Sequence, residues 1–280
     1  MIATDEAPQC VASATPPEAT SEVRVVRHRA DGPELCTDTV AEECPVALVF
    51  NGISHAVMMA TPRDLEAFAI GFALSEGIVG NRRDIFDIET EFHAEGAEVQ
   101  IRIAQSSFAQ LKAHRRTLTG RTGCGVCGTE SLALLDLKPE SVDTTQVALP
   151  NAAAIQRILN DLPTHQPLTQ ATGCAHAAAW CTSHGEIVRV FEDVGRHNAM
   201  DKLLGWMANS AVDPRSGLIF LTSRASYELV RKAARMGVPV LATISAPTGL
   251  ALRIAHAAGI HLLSFCRSSG HVEYPGATPD

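Results

Sequence analysis

Basic residues are scarce in this chain. Lys and Arg number 23 against 31 Asp and Glu, a formal net charge of −8, which excludes a nucleic-acid binder that works through overall charge. An anionic ligand therefore needs a local basic patch. The first 22 residues hold no Lys or Arg and no continuous apolar stretch, so they lack both marks of a secretory signal. Nowhere do about 18 apolar residues run without a charge or a Pro, which argues against a membrane-spanning helix. Internal repeats are absent as well. With 19% charged and 46% hydrophobic residues, the chain has enough apolar material for a core and is neither largely disordered nor fibrous. It reads as a soluble, cytoplasmic protein. Its eight cysteines are then mostly reduced, and close pairs among them point to metal or redox chemistry before structural disulfides.

A length of 280 residues accommodates one large domain or two smaller ones. Residues 1–22, rich in Ala, Thr, Pro and Glu, are expected to form a disordered tail. Residues 23–116 read as an α+β domain. A strand is expected around Val23, Val25 and Val26, and a hairpin about Asn51-Gly52. A helix capped by Thr61 should carry Leu65, Phe68, Ala69, Phe72 and Ala73 on one face, and two more strands flank Glu95-Gly96. Residues 117–280 begin with a loop-rich stretch to Asn151 and then alternate strand and helix. Strands are expected at 187–191, 218–221, 238–244 and 260–265, with helices at 198–207, 227–236 and 250–258. The fold class is thus α/β with an α+β first part, the second part a three-layer domain with a mainly parallel sheet. Ligands gather at the carboxyl ends of strands in such sheets. Here those ends carry EDVGRHN, TSRAS, SAPTG and FCRSSG.

The sharpest motif is Cys124-Gly-Val-Cys127, enclosed by Gly123, Gly125 and Gly128 and preceded by Lys112, Arg115, Arg116 and Arg121. Glycines leave the sulfurs accessible, and nearby positive charge stabilises a thiolate. A sulfur-handling or redox pair, half of a zinc site, and two incidental loop cysteines all fit. Zinc needs further ligands from Cys174, His176, Cys181 and His184, whose spacing suits a closed site poorly. The chemistry argues against a zinc deaminase. Ala178 stands where its H-x-E signature needs the proton-shuttling Glu, and the CxxC precedes the His. No stoichiometric zinc is expected. In EDVGRHN, Arg196 and His197 open a helix whose free N–H groups suit an anion, although Asn198 as a plain helix cap explains the same residues. TSRAS places Ser223, Arg224 and Ser226 in the same way, and two such loops on one edge favour a phosphate-bearing ligand.

GRTGCGVCG, ATGCAHAAAW, EDVGRHNAMDKLLG, TSRASYELVRKA, VPVLATISAPTGLA and SFCRSSG, in this order, resemble the formate dehydrogenase accessory sulfurtransferases of the FdhD family, as does TPRDLEAFAIGFALSEGIV. The likeness covers residues 23–275. It implies a cytidine-deaminase-like second domain and a homodimer. It also implies a persulfide taken from a cysteine desulfurase and passed to the molybdenum bis-molybdopterin guanine dinucleotide cofactor, bound as substrate before insertion into formate dehydrogenase. Cys124 matches the carrier, with Cys127 beside it. Phe265, Cys266, Arg267, Ser268, Ser269 and Gly270 match the cofactor loop after the last strand, without the late Arg many relatives have, and Cys174 stands where Gly is common. Arg224 and His197 border the same expected cofactor site. The alternatives are a non-catalytic cofactor-binding chaperone and, more weakly, a metal-binding module.

Overall fold

Asn51 and Gly52 take φ angles of 46° and 80°, the two positive values that a two-residue hairpin requires. They join β3 (Cys44–Phe50) to β4 (Ile53–Ala60) in a computed structural model that describes residues 16–115 and 138–276. Cys124 and Cys127 lie outside the described residues. Upstream, β1 (Thr20–Arg29) and β2 (Gly32–Ala41) form a separate two-stranded ribbon; β1 starts three residues earlier than the sequence suggests. After α1 (Leu65–Ser75) come β5 (Ile85–His93), β6 (Gly96–Ile103) and α2 (Gln105–Arg115). The four strands order as β4-β3-β6-β5, with only β3 and β6 parallel. One face of this sheet buries Val46, Leu48, Val99 and Ile101 with Phe68 and Ile70 of α1.

The second half opens with α3 (Ala152–Asp161) and α4 (Pro167–Thr172). β7 (His176–Thr182), β8 (Ile187–Asp193), α5 (Arg196–Asn209), β9 (Gly217–Leu221) and α6 (Tyr227–Arg235) follow. β10 (Val240–Thr243), α7 (Gly249–Ala258), β11 (His261–Arg267) and β12 (Gly270–Tyr274) complete it. The sheet order is β12-β11-β10-β9-β7-β8. β9, β10 and β11 are parallel and joined by helical crossovers, as expected. The sheet as a whole is not mainly parallel, because β12-β11, β7-β9 and β7-β8 pair antiparallel. Tight hairpins join β7 to β8 and β11 to β12, and a tight hairpin returns the chain antiparallel. The layering is threefold. Leu203, Leu229, Val230 and Ile254 of α5, α6 and α7 pack on Trp180, Ile219, Leu241 and Leu262. Ile155 and Ile158 of α3 pack on Phe220, Val240 and Leu263 from the other side.

The two halves meet where α1 crosses α5. Helix α1 is apolar almost all round, as a helix enclosed on every side must be. A Cβ on Gly71 would lie 1.7 Å from the Asp201 carbonyl oxygen, and one on Gly205 would lie 1.9 Å from that of Ala67. The contact is backbone on backbone. Buried charge flanks it. Lys232 Nζ donates to both Asp201 carboxylate oxygens at 2.9 Å and to Ser75 Oγ at 2.8 Å, and pairs with Glu76 at 2.7 Å. Thr61 does not cap α1, whose N-cap is Asp64 at φ 55° without a side-chain bond. Thr61 serves the junction instead. Its N–H donates to Asp193 Oδ2 at 3.0 Å, its hydroxyl accepts from Val194 N–H at 3.2 Å, and its carbonyl accepts from Lys202 at 3.2 Å. Among the described residues no helix is long and apolar enough to cross a membrane.

Gly71→Ala tests the crossing. The helix-propensity gain of about 1 kcal/mol opposes an overpacking cost that rises above ~3 kcal/mol when rigid backbone blocks the methyl. The expected outcome is a net loss of at least about 2 kcal/mol in urea unfolding, against little change for Gly80→Ala, where the space is open.

Candidate functional site

The expected loops do collect on one edge of the six-stranded sheet. Because β8, β9, β10 and β11 run in one direction and β7 opposes them, that edge also receives His176 at the start of β7. The loops are tied to one another by main-chain bonds. Ile244 N–H donates to Leu221 O at 3.0 Å, Thr248 N–H to Ala225 O at 3.0 Å, and Phe265 N–H to Ser245 O at 3.3 Å. Thr222 bonds Ala177 on both sides: its hydroxyl accepts from Ala177 N–H at 2.8 Å and its N–H donates to Ala177 O at 3.0 Å. These bonds make a floor for whatever the exposed side chains hold.

Phe265 is 40% exposed and sits at φ 54°, an uncommon backbone state for a bulky residue. The bulge between Ser264 and Arg267 accompanies it. Cys266 points the other way, into the core with Phe220, Ala242 and Leu263. Burial pushes its thiol up to about 11, against a backbone hydrogen bond from Thr243. Its main chain is at the edge and its sulfur is not. Arg267, Ser268 and Ser269 are exposed, and Gly270, at φ 129°, pairs with Arg267. This segment is therefore the β11–β12 hairpin rather than a loop after a last strand. Ser268 and Ser269 make the turn without a positive φ, and Gly270 takes the positive one as the chain enters β12, an angle that Gly adopts freely. Arg224 is exposed between β9 and α6.

The acidic residues of EDVGRHN are committed to structure. Glu192 accepts from Leu168 N–H, Thr169 N–H and the Thr169 hydroxyl at 2.8, 2.8 and 2.6 Å, covering the start of α4. Asp193, fully buried, pairs with Lys202 at 2.7 Å and accepts from Gly195 N–H and Asn198 Nδ2 at 2.8 and 2.9 Å. Asn198 is no helix cap, since Gly195 holds that position; its amide also donates to Met59 O at 2.7 Å. Arg196 and His197 do open α5 as the sequence suggests. His197, with a side chain 14% exposed, lies 4.0 Å from Glu228. Burial, then Arg196 and Lys232, push its imidazole down to about 4, over the opposing pull of Glu228 and Glu76. His176 is also lowered, by burial and Arg196, with Asp193 opposing. Both rings are thus neutral near pH 7 and can donate and accept hydrogen bonds.

The four residues weighed as zinc ligands do not converge. Cys181 lies five residues along β7 from His176, about 17 Å away in an extended strand, and burial pushes its thiol up to about 12. Cys174 is exposed just before β7, after Gly173 at φ 68° closes α4. No group of three His, Cys, Asp or Glu side chains among the described residues is placed to hold a metal ion. His176 is the edge residue that local sequence did not place there; Thr222 arrives with the TSRAS loop, as expected. The antiparallel insertion of β7 beside β9 puts His176 there, and no motif announces that pairing.

The class of protein defined here is a two-part α/β protein with a cationic, aromatic loop edge and a buried polar junction. The FdhD/NarQ family matches residues 41–278, and the chain belongs to that family. It is 60% identical over 255 residues to the sulfur carrier protein FdhD of Chromobacterium violaceum, covering 91% of this chain and 94% of the relative. It is 57% identical over 263 residues to the sulfur carrier protein FdhD of Burkholderia mallei, covering 92% and 96%. A solved structure from Desulfotalea psychrophila, described as a formate dehydrogenase accessory protein, shares its fold at a TM-score of 0.72 and 23% identity, covering 92% of this chain and 98% of that one.

The histidine at the junction has a measurable consequence. The unfolded chain protonates His197 near its usual 6.5, whereas the folded protein holds it neutral down to about 4. Below 6.5 the unfolded state therefore binds more protons, and this share of stability is lost as pH falls toward 4. Urea unfolding should lose about 2 kcal/mol from this group between pH 7 and pH 5. His197→Gln should flatten that part of the pH profile; an unchanged slope would mean that another group carries it.

Proposed function

We propose that this chain, a sulfur carrier serving a formate dehydrogenase, takes persulfide sulfur on Cys124 from a cysteine desulfurase. It then passes that sulfur to a molybdenum bis-molybdopterin guanine dinucleotide held at the sheet edge. The observation that carries this reading is identity above 50% across nine-tenths of the chain to relatives named sulfur carrier proteins. In the loading step the Cys124 thiolate attacks the outer sulfur of the donor persulfide and the donor cysteine leaves as a thiolate, with no net redox change. Cys127 supports it, either by hydrogen-bonding the outer sulfur or by attacking the inner one. That attack releases sulfide and leaves a Cys124–Cys127 disulfide. Cys181 and Cys266 are poorly suited to carriage, because their thiols are buried and hard to ionise.

The cofactor is cargo. Its phosphates call for fixed cations and hydrogen-bond donors, which Arg224, Arg267, Ser268, Ser269 and the neutral His197 provide along one edge, and Phe265 offers a ring to a planar group. The deaminase-like reading of the second half draws support from its three layers. The protein acts in the cytoplasm, as a homodimer, without zinc. A cofactor chaperone that moves no sulfur needs the same edge, so the decisive measurement concerns the loop.

After incubation with a desulfurase and cysteine, mass spectrometry should find one extra sulfur on Cys124. Cys124→Ala should abolish loading and formate dehydrogenase maturation, while Cys127→Ala keeps partial loading. Normal maturation by both variants overturns the carrier reading in favour of the chaperone. Separately, Arg224→Ala should weaken guanine-nucleotide binding by roughly 1.5–3 kcal/mol in calorimetry, the worth of a charged hydrogen bond. An unchanged affinity would move the site elsewhere.

A further inference from the structure

Helices α6 and α7 lie over β9, β10 and β11, and β12 is added beyond them as the antiparallel edge strand. Tyr274 stands opposite Leu262, a core residue beneath those helices, so Tyr274 and Val272, two positions back, point to the same face. No helix covers this strip, and Val272 is 44% exposed. Between the strip and the flank of α7 lies a cavity of about 470 Å³. Leu252, Arg253, Ala255 and His256 form its helical wall, and Tyr274 and Pro275 the other. One end is closed where the chain after Pro275 crosses the end of α7, since no Cβ would fit on Gly276 against the Gly259 carbonyl. Glu273 borders the cavity as well, but it pairs with Leu263 on the opposite face and its carboxylate lies 3.3 Å from His261 Nδ1.

We propose that the gap between α7 and β12 is a second ligand site, for a small carboxylate with an aromatic or branched apolar body. The lining is divided by chemistry. Leu252, Ala255, Tyr274 and Pro275 make an apolar floor, and the exposed Arg253 and His256, neighbours on one face of α7, make a polar rim. Among the described residues neither side chain has an ion-pair or hydrogen-bond partner. A guanidinium takes a carboxylate by two parallel hydrogen bonds, and an imidazole adds a third. One Arg matches the single charge of a carboxylate, whereas a phosphate monoester carries nearly two. Volume sets the size class. Small-molecule sites span about 300–1,000 Å³, while a protein partner needs about 20 residues a side, far more than line this cavity. The site shares no residue with the loop edge and stands independently of the carrier reading. Leu262, opposite Tyr274, is three residues from Phe265, roughly 10 Å along β11. Helix α7 starts after Thr248, whose N–H donates to Ala225 O. The occupant thus lies on the same two elements that lead to the cargo loops, without reaching them.

Naphthalene-2-carboxylate is the probe, with 2-naphthylmethanol as its neutral counterpart. Titrated into the full chain labelled at Leu, Ala and Ile methyl groups, the carboxylate should shift the NMR signals of Leu252 and Ala255 with a Kd of about 1 mM or tighter, the range expected for a ligand of this size. Leu221 and Ile244, at the loop edge, should stay in place. Arg253→Gln with His256→Gln, both exposed on α7, should keep the wild-type circular dichroism and weaken the carboxylate at least about tenfold. The alcohol should change less than about twofold, because it lacks the charge that the rim reads. Excess guanine nucleotide should leave the Leu252 and Ala255 shifts unchanged. Shifts confined to Leu221 and Ile244, or displacement of the probe by the nucleotide, would place it at the loop edge and overturn the proposal. So would the absence of any shift up to about 10 mM probe, well above the affinity expected for its size, or a double variant that binds the carboxylate like the wild type. Equal loss of both probes would show that the rim builds the cavity without reading charge, and overturns the carboxylate assignment.

Discussion

The contact between Asp193 and Lys202, both at 0% exposure and 2.7 Å apart, connects everything else in this protein. Two charges removed from water are costly unless every remaining lone pair and proton is satisfied, and deleting one partner of such a pair typically costs about 3–5 kcal/mol. Here the satisfaction comes from both halves of the chain. Thr61 contributes its N–H to Asp193 and its carbonyl to Lys202, while Gly195 and Asn198 occupy the other carboxylate oxygen. The end of β4, the end of β8 and the first turns of α5 are thereby held in one arrangement. Helix α5 cannot shift without breaking the glycine contact with α1, nor α1 without disturbing the Glu76–Lys232–Asp201 group.

That junction sets the position of the loop edge. Asp193 ends β8, and the two residues that follow lead directly into Arg196 and His197. The same rigidity explains the electrostatics of the edge. His197 is neutral because burial and the neighbouring cations Arg196 and Lys232 oppose its protonation, and Lys232 is there to bind Asp201 and Glu76. A group at the edge thus takes its protonation state from a network whose main task is to hold two halves together. Phe265 and Arg224, by contrast, are displayed by loops whose backbones are bonded to adjacent strands, so a ligand meets them already placed.

Local sequence was a good guide wherever one residue type has one physical use. Asn51-Gly52 and Glu95-Gly96 mark turns because few residues accept the angles required there, and both turns occur where expected. The strand–helix alternation from Ile187 onward is legible because buried parallel strands are uniformly apolar and the helices between them are amphipathic. Signals with two uses were misleading. Thr61 and Asn198 both have the chemistry of helix caps, and both are taken by the junction instead. Helix α4 and strand β12 escaped notice because they are short and their apolar residues are few, and α3 did so although Ala154, Ile155 and Ile158 mark a buried face.

By itself, then, the sequence determined the two-part α/β character, the parallel core of β9, β10 and β11, the set of loops at its carboxyl ends, and through its motifs the family. These follow from periodicity, turn residues and local composition, all of which act over a few neighbouring positions. Only the tertiary structure decided that the sheet is mixed, that Cys266 faces the core while Phe265 faces solvent, that Glu192 and Asp193 are structural, and that His176 belongs to the edge. Each of those depends on which strand lies beside which, or on partners far apart in the chain, as Asp193 is from Thr61, 132 residues away. A hydrogen bond over such a distance leaves no periodic trace in the chain, because its two ends are constrained by geometry rather than by their neighbours in sequence.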